Sequence, residues 1–263
     1  MLVNVKYLKG FAIRATDGDI GKVSDFYFDD EQWTIRYMVV EAGTWLNSRK
    51  VLITPLSIGT PDHSRSVLPA SITQDQVRSS PDIDTDLPVS RQYESDYLGY
   101  YGYPVYWGGV GLWGGDPFPG MVTGAGDLTS SPVPVDAATR NALADAQAKR
   151  HEHDDPHLRS CEAVKGYHIK ATDGEIGHVQ GWIVDDKTWA IRYLIVDTSV
   201  WWTGHKVLIS PRWIESISWE ESAACVNLTR QSVKDSPAYD PETLPDLDQE
   251  IDIHKHYNRT GYW

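Results

Sequence analysis

Apolar and polar residues alternate along much of this chain, and the alternation is written twice. In the segment Gly21–Asp30, Val23, Asp25, Tyr27 and Asp29 alternate with Lys22, Ser24, Phe26 and Phe28. In Thr34–Ala42, Ile35, Tyr37 and Val39 share one face while Arg36, Met38 and Val40 share the other. A period of two, carried by β-branched and aromatic residues, predicts strands. Asp17-Gly18 and Asp173-Gly174 tolerate positive φ and predict turns. The segments "DDEQW" and "DDKTW" predict hairpin connections. "RKVLITP" and "HKVLISP" predict further strands, each closed by a proline that cannot donate to a ladder. "SRSVLPA" and "AACVNLT" predict a later one. "TQDQVRSSP" and "TRQSVKDSP" predict short helices, capped by Thr73 or Thr229 and stopped before Pro81 or Pro237.

The repetition keeps one spacing over most of its length. Shifted by 156 positions, Ala15 falls on Ala171, Asp30 on Asp186, Trp33 on Trp189 and Pro55 on Pro211. Between Ala15 and Ile58 no gap is needed, and 21 of 44 positions are identical. The offset slips by one near Pro88 and Pro245 and returns where Tyr106-Trp107 matches Tyr262-Trp263. A unit of about 107 residues is a duplicated domain, not a solenoid repeat. The expected organisation is residues 1–107 as the first unit with an aromatic tail, 108–157 as a linker rich in Gly and Pro, and 158–263 as the second unit with its own tail. Within the linker, Asp136–Arg150 has a capping Asp and strong helix formers, which predicts a short helix.

Five or six short strands in so few residues favour a small barrel, because closure removes exposed edges. The expected fold class is therefore all-β: two tandem small β-barrels, each with a short C-terminal helix. A barrel this small buries a modest share of its surface. The two barrels are expected to pack as an intrachain pseudo-dimer, which would leave the chain monomeric.

The chain has 263 residues, a formal net charge of -13 and a pI near 5.0. Such acidity repels phosphate and argues against nucleic acid as a general partner. Two cysteines, Cys161 and Cys225, make no disulfide framework and fit a reducing compartment. "MLVNVKYLKG" has no apolar signal core, and the longest apolar runs, such as "YMVV" and "YLIV", fall far short of a membrane span. The expected location is the cytoplasm.

The order "DG-x-x-G-x-V-x-D" from Asp17 to Asp25, followed by Asp29, Arg36-Tyr37, Glu41 and "VLITP" at Val51–Pro55, resembles the PRC-barrel family. The second copy repeats it at Asp173, Gly174, Gly177, Val179, Asp185, Arg192, Tyr193, Asp197 and "VLISP", and departs at Gly181, where the first copy has Asp25. The resemblance covers roughly residues 5–80 and 161–236. The family is named for the cytoplasmic domain of the photosynthetic reaction centre H subunit and includes a domain of a ribosome maturation factor. The resemblance implies a β-barrel used for protein contacts, without a common catalytic site. This chain lacks the H subunit's transmembrane helix and the ribosome factor's additional barrel. The expected function is a non-enzymatic protein-binding or scaffolding module. The alternatives are an accessory subunit of an electron-transfer or photosynthetic complex, or a ribosome-assembly factor.

Candidate chemistry is sparse. Asp29-Asp30 and Asp185-Asp186 are adjacent on a strand and point to opposite faces, so a turn or a salt bridge to Arg36 or Arg192 is the simpler reading. His151, His153 and His157, in "HEHDDPH", are weak candidates for zinc or nickel, as are His254 and His256. Cys161 and Cys225 read as inert thiols. No cofactor motif occurs. The aromatic residues stand out: Trp45, Trp201 and Trp202 in the units, Tyr100, Tyr101, Tyr103 and Trp107 in the first tail, and Trp263 in the second. Tyr and Trp suit protein interfaces. The simpler reading is that they wrap the tails on their own barrels, ahead of a partner surface and, last because basic residues are so few beside them, a stacking platform for single-stranded nucleic acid.

Overall fold

The computed structural model describes residues 1–43, 46, 49–81, 89–107, 111–119, 157–199 and 205–262. Strands predominate, helices are fewer, and the strands form two sheets. The chain divides into two compact units, one of Gly10–Arg159 and one of Met1–Lys9 with Ser160–Trp263. The predicted helix at Asp136–Arg150 lies outside the described residues.

In the Gly10–Arg159 unit the order is β5(Lys50–Ile53), β4(Thr34–Ala42), β3(Asp19–Asp29), β2(Ala12–Arg14), β6(Val67–Pro69), with β7(Leu158–Ser160) beside β3. The other unit repeats the path as β11(Lys206–Ile209), β10(Ile191–Asp197), β9(Gly174–Asp185), β8(His168–Ala171), β13(Ala223–Val226), β12(Ile214–Ser218), with β1(Leu2–Asn4) beside β9. Along the two paths neighbours are antiparallel except β2 with β6 and β8 with β13, which run parallel, and β1 is antiparallel to β9. Among the described residues no ladder joins β5 to β6 or β11 to β12, so each sheet is an open path of strands.

The first strand of each copy leaves its own copy. Leu2, Val3 and Asn4 pair with Asp185, Val184 and Ile183 of the second copy's hairpin. Residues 158–160, their equivalents 156 positions on, join β3 of the first copy. The flanking backbone bonds are equivalent too: Asp186 donates to the Met1 carbonyl and Asp30 to the His157 carbonyl, each at 3.0 Å. This is the reciprocal strand exchange familiar from swapped dimers, written into one chain.

The turns explain the motif. The Asp17 carboxylate accepts the Gln74 N–H at 2.8 Å, and Asp173 accepts the Arg230 N–H at 2.7 Å. Each thus serves the first turn of the short helix predicted after Thr73 or Thr229, found at Gln74–Arg78 and Arg230–Lys234 with reciprocal Thr73–Gln76 and Thr229–Ser232 caps. Gly21 and Gly177 have a different duty. A Cβ at Gly21 would lie 2.0 Å from the Glu41 carbonyl oxygen, and one at Gly177 2.1 Å from that of Asp197. Only glycine lets the long hairpin close that tightly.

Burial departs from simple alternation. Phe26, Tyr27, Phe28 and Asp29 are consecutively buried, as is every residue from Thr34 to Val40. Irregular register between Val23 and Asp25 and between Tyr27 and Phe28 turns extra side chains inward. The other cause is a covering layer, since the tail folds back as a helix at Arg91–Tyr101 and the second copy does likewise at Leu247–His256.

Candidate functional site

The tail helices carry most of the residues singled out for interaction. In the Gly10–Arg159 unit, Ser90 caps the Arg91–Tyr101 helix by accepting the Tyr93 N–H, and Gly102 ends it in the left-handed region at φ 72°. Tyr93, Tyr97 and Tyr101 recur every fourth residue and share one face. Their rings form a chain: Tyr93–Tyr97 at 6.2 Å, Tyr97–Tyr101 at 4.9 Å, Tyr101–Tyr100 at 4.8 Å and Tyr101–Tyr103 at 5.8 Å between centroids. The inner end is anchored, because the buried Tyr97 hydroxyl donates to the Leu52 carbonyl of β5 at 2.9 Å. The outer end reaches solvent: Tyr100 is 42% exposed, although its hydroxyl donates to the Gln76 carbonyl at 2.9 Å. Tyr101, Tyr103 and Trp107 are half-buried.

Beneath the helix lies a polar cluster built around the buried Glu94, Arg36, Asp29 and Tyr106. The Glu94 carboxylate accepts the Tyr106 hydroxyl at 2.6 Å and meets His157 Nε2 at 2.7 Å. Arg36, also sealed from solvent, donates to Asp29 Oδ2 through Nε at 3.3 Å and Nη2 at 3.0 Å, to Gln32 Oε1 at 2.8 Å, and to the Leu112 carbonyl. Its guanidinium lies 3.8 Å from the Tyr106 ring centroid and 4.9 Å from that of Trp113. Trp113 belongs to the segment expected as linker, yet it is buried, held by bridges Gly111–Gly114 and Trp113–Asp116. Burial, and then the Glu94 charge, push the Tyr37 and Tyr106 hydroxyls well above the ordinary phenol value, so both stay protonated.

The other unit repeats the plan with fewer bonds. Tyr193 donates to Glu250 at 2.8 Å and meets His254 Nε2 at 3.1 Å. Arg192 donates to Asp185 at 3.3 Å and lies 4.4 Å from the Tyr262 ring, whose hydroxyl donates to the Arg192 carbonyl at 2.9 Å. Burial raises the Glu250 carboxyl and lowers His254, which favours a neutral imidazole. These pairs behave as clamps that hold each tail on its sheet. The Glu94 carboxylate has no solvent exposure, so a substrate would have to open the unit to touch it.

Of the remaining candidates, Trp45, Trp201, Trp202, Trp263, His151 and His153 lie outside the described residues. His157 is engaged with Glu94 and Tyr106. His256 bonds the Ser232 carbonyl. Among the described residues there is no group of three or more His, Cys, Asp and Glu able to hold a metal ion. Cys161 is buried and Cys225 half-buried, both as free thiols. Asp29 and Asp185 each combine the two structural duties expected of the paired acids. They accept turn N–H groups (Glu31 at 2.9 Å, Lys187 at 2.9 Å) and pair with Arg36 or Arg192. The buried Glu94 and half-buried Glu250 were missed by sequence reasoning, although both follow a capping Ser90 or Asp246 by four residues.

No protein-family model matches the chain, and no curated protein matches it. Among the described residues no helix is long and apolar enough to cross a membrane.

Proposed function

We infer that the protein is a non-enzymatic protein-binding or scaffolding module of the cytoplasm, built from two PRC-like barrel halves. The observation that carries the reading is the tyrosine chain of the first tail. It is anchored at Tyr97 and presents Tyr100 to solvent, with Tyr101 and Tyr103 beside it. Pre-ordered rings lose little entropy on binding and supply large contact area, which is how interfaces use tyrosine. At the equivalent positions the second copy carries His256, Tyr257 and Arg259. The binding face therefore belongs to the first copy alone, while the second copy keeps the same frame with a polar covering. The duplicated strand path and the glycine contacts of the "DG-x-x-G" segments support two like strand-rich halves, and the barrel reading itself rests on the resemblance.

The test places a photo-crosslinking phenylalanine analogue at Tyr100, and at the more exposed Leu247 as control, in the full-length protein in cells. A single discrete protein adduct at position 100, absent at 247, is the expected result. Equal labelling at both positions, or none at 100, would remove the reading.

A further inference from the structure

The Ser160–Trp263 unit, with Met1–Lys9, holds a cavity of about 320 Å³ whose lining is unlike the rest of the protein. Its walls include four lysines, Lys6, Lys9, Lys165 and Lys206, against a single carboxylate, Glu162. Four ammonium groups and one carboxylate leave a formal charge of +3, in a chain whose net charge is -13. Glu162 is already occupied, bonded to Lys9 at 2.5 Å and 3.7 Å from Lys165. Lys6 and Lys206 form no ion pair among the described residues, and Lys6 instead lies 4.6 Å from the Tyr7 ring. The floor is apolar, made by the buried Trp182 and Ile195 of the central hairpin.

One sequence difference opens this space. Gly181 lines the cavity at the position where the first copy carries Asp25. A side chain there would start 3.4 Å from Ile195 Cδ1, an ordinary contact, and would extend over the floor. In the second copy a glycine therefore stands in place of a carboxylate on a cavity wall shared with four lysines.

We propose that this cavity is a binding site for a small amphipathic anion, a carboxylate, sulfonate or phosphate borne on a compact aromatic body. The lysines would hold the charged group and Trp182 the ring. The volume corresponds to about ten water molecules at ~30 Å³ each, enough for one or two rings and too little for a long acyl chain. Anion binding between lysines is screened by salt, so affinity falls with ionic strength.

The test titrates the intact protein with anilinonaphthalene sulfonate as probe, read by calorimetry and probe fluorescence. The uncharged phenylnaphthylamine stands for the body alone and inorganic sulfate for the head alone. One-to-one binding is expected, weakened by salt, with sulfate and the neutral body each bound at least about tenfold more weakly (the factor that 1.4 kcal/mol represents). Gly181→Asp should abolish binding. The double change Lys6→Glu, Lys206→Glu should weaken it at least about tenfold, whereas Lys234→Glu, outside the cavity, should leave it unchanged. Circular dichroism and thermal melting report whether each variant folds. If Gly181→Asp does not fold, the lysine pair decides, because Lys6 is exposed, Lys206 half-buried, and neither forms an ion pair among the described residues. Binding that ignores the Lys6 and Lys206 reversal, or a neutral body that binds as tightly as the sulfonate, overturns the proposal, as does the absence of saturable binding.

Discussion

Replacing Arg36 by Ala tests how the tail is held. Arg36 is fully buried and makes two bonds to a nearly buried Asp29, one to Gln32 and one to the Leu112 carbonyl, between the Tyr106 and Trp113 rings. Its removal leaves the Asp29 charge without its cation. Breaking a buried pair from one side costs about 3–5 kcal/mol, most of it the penalty on the abandoned partner. In a unit of this size that is a fall of roughly 10 °C in the midpoint of melting. The equivalent Arg192 and its Asp185 are each 20% exposed and share one bond at 3.3 Å, so Arg192→Ala should cost about 1 kcal/mol. The assay is scanning calorimetry fitted to two transitions, since two units preclude a single two-state treatment. Arg36→Ala should move one transition strongly and Arg192→Ala the other weakly. A third variant isolates the cause. If the stranded charge dominates, Arg36→Met with Asp29→Asn is more stable than Arg36→Met alone. Equal costs for the two arginines, or a double variant worse than the single one, would refute the reasoning.

Three further outcomes follow from the geometry. Gly21→Ala and Gly177→Ala each force a Cβ to about 2 Å from a backbone oxygen, and each should cost more than about 3 kcal/mol or prevent folding, read by urea denaturation. The buried Tyr37 hydroxyl makes no hydrogen bond of ordinary geometry among the described residues, although the Glu94 carboxylate lies near it, whereas that of Tyr193 donates to Glu250. Tyr37→Phe should therefore be neutral within about 0.5 kcal/mol and Tyr193→Phe destabilising by about 1.5 kcal/mol, measured by the same method. Burial pushes Tyr101 and Tyr257 from 10.0 to about 12. Because the folded values lie above the unfolded ones, this stability is complete below pH 10 and is lost as pH rises towards 12. Tyrosinate absorbance during alkaline titration should show a late-ionising fraction that includes Tyr101 and Tyr257 and shrinks by one group in Tyr101→Phe or Tyr257→Phe, and each of these variants should flatten the alkaline loss of stability.

Much of the frame was legible because it rests on local rules. The period of two predicts β3, β4 and their counterparts, Asp-Gly the turns, Pro55 and Pro211 the strand ends, and Thr73 and Thr229 the capped helices. The tail helix could also have been read from Ser90, Gly102 and the spacing of Tyr93, Tyr97 and Tyr101. It was hidden because tyrosine is a poor helix former and the segment reads as an aromatic tract. The left-handed Trp33 and Trp189, at φ 52° and 60°, had no signal at all, since glycine or asparagine is the residue expected there.

The sequence by itself determined that one strand-rich unit occurs twice, with the same turns, capped helices and motif glycines, because these depend on neighbours a few residues away. Only the tertiary structure decided which hairpin each opening strand joins, that Glu94 meets His157 across 63 positions, and that four lysines line one cavity with Trp182. The physical reason is that duplication makes the two receiving hairpins nearly equivalent in local pattern. An edge strand such as Leu2–Asn4 carries no address of its own, and long-range packing and charge make the choice.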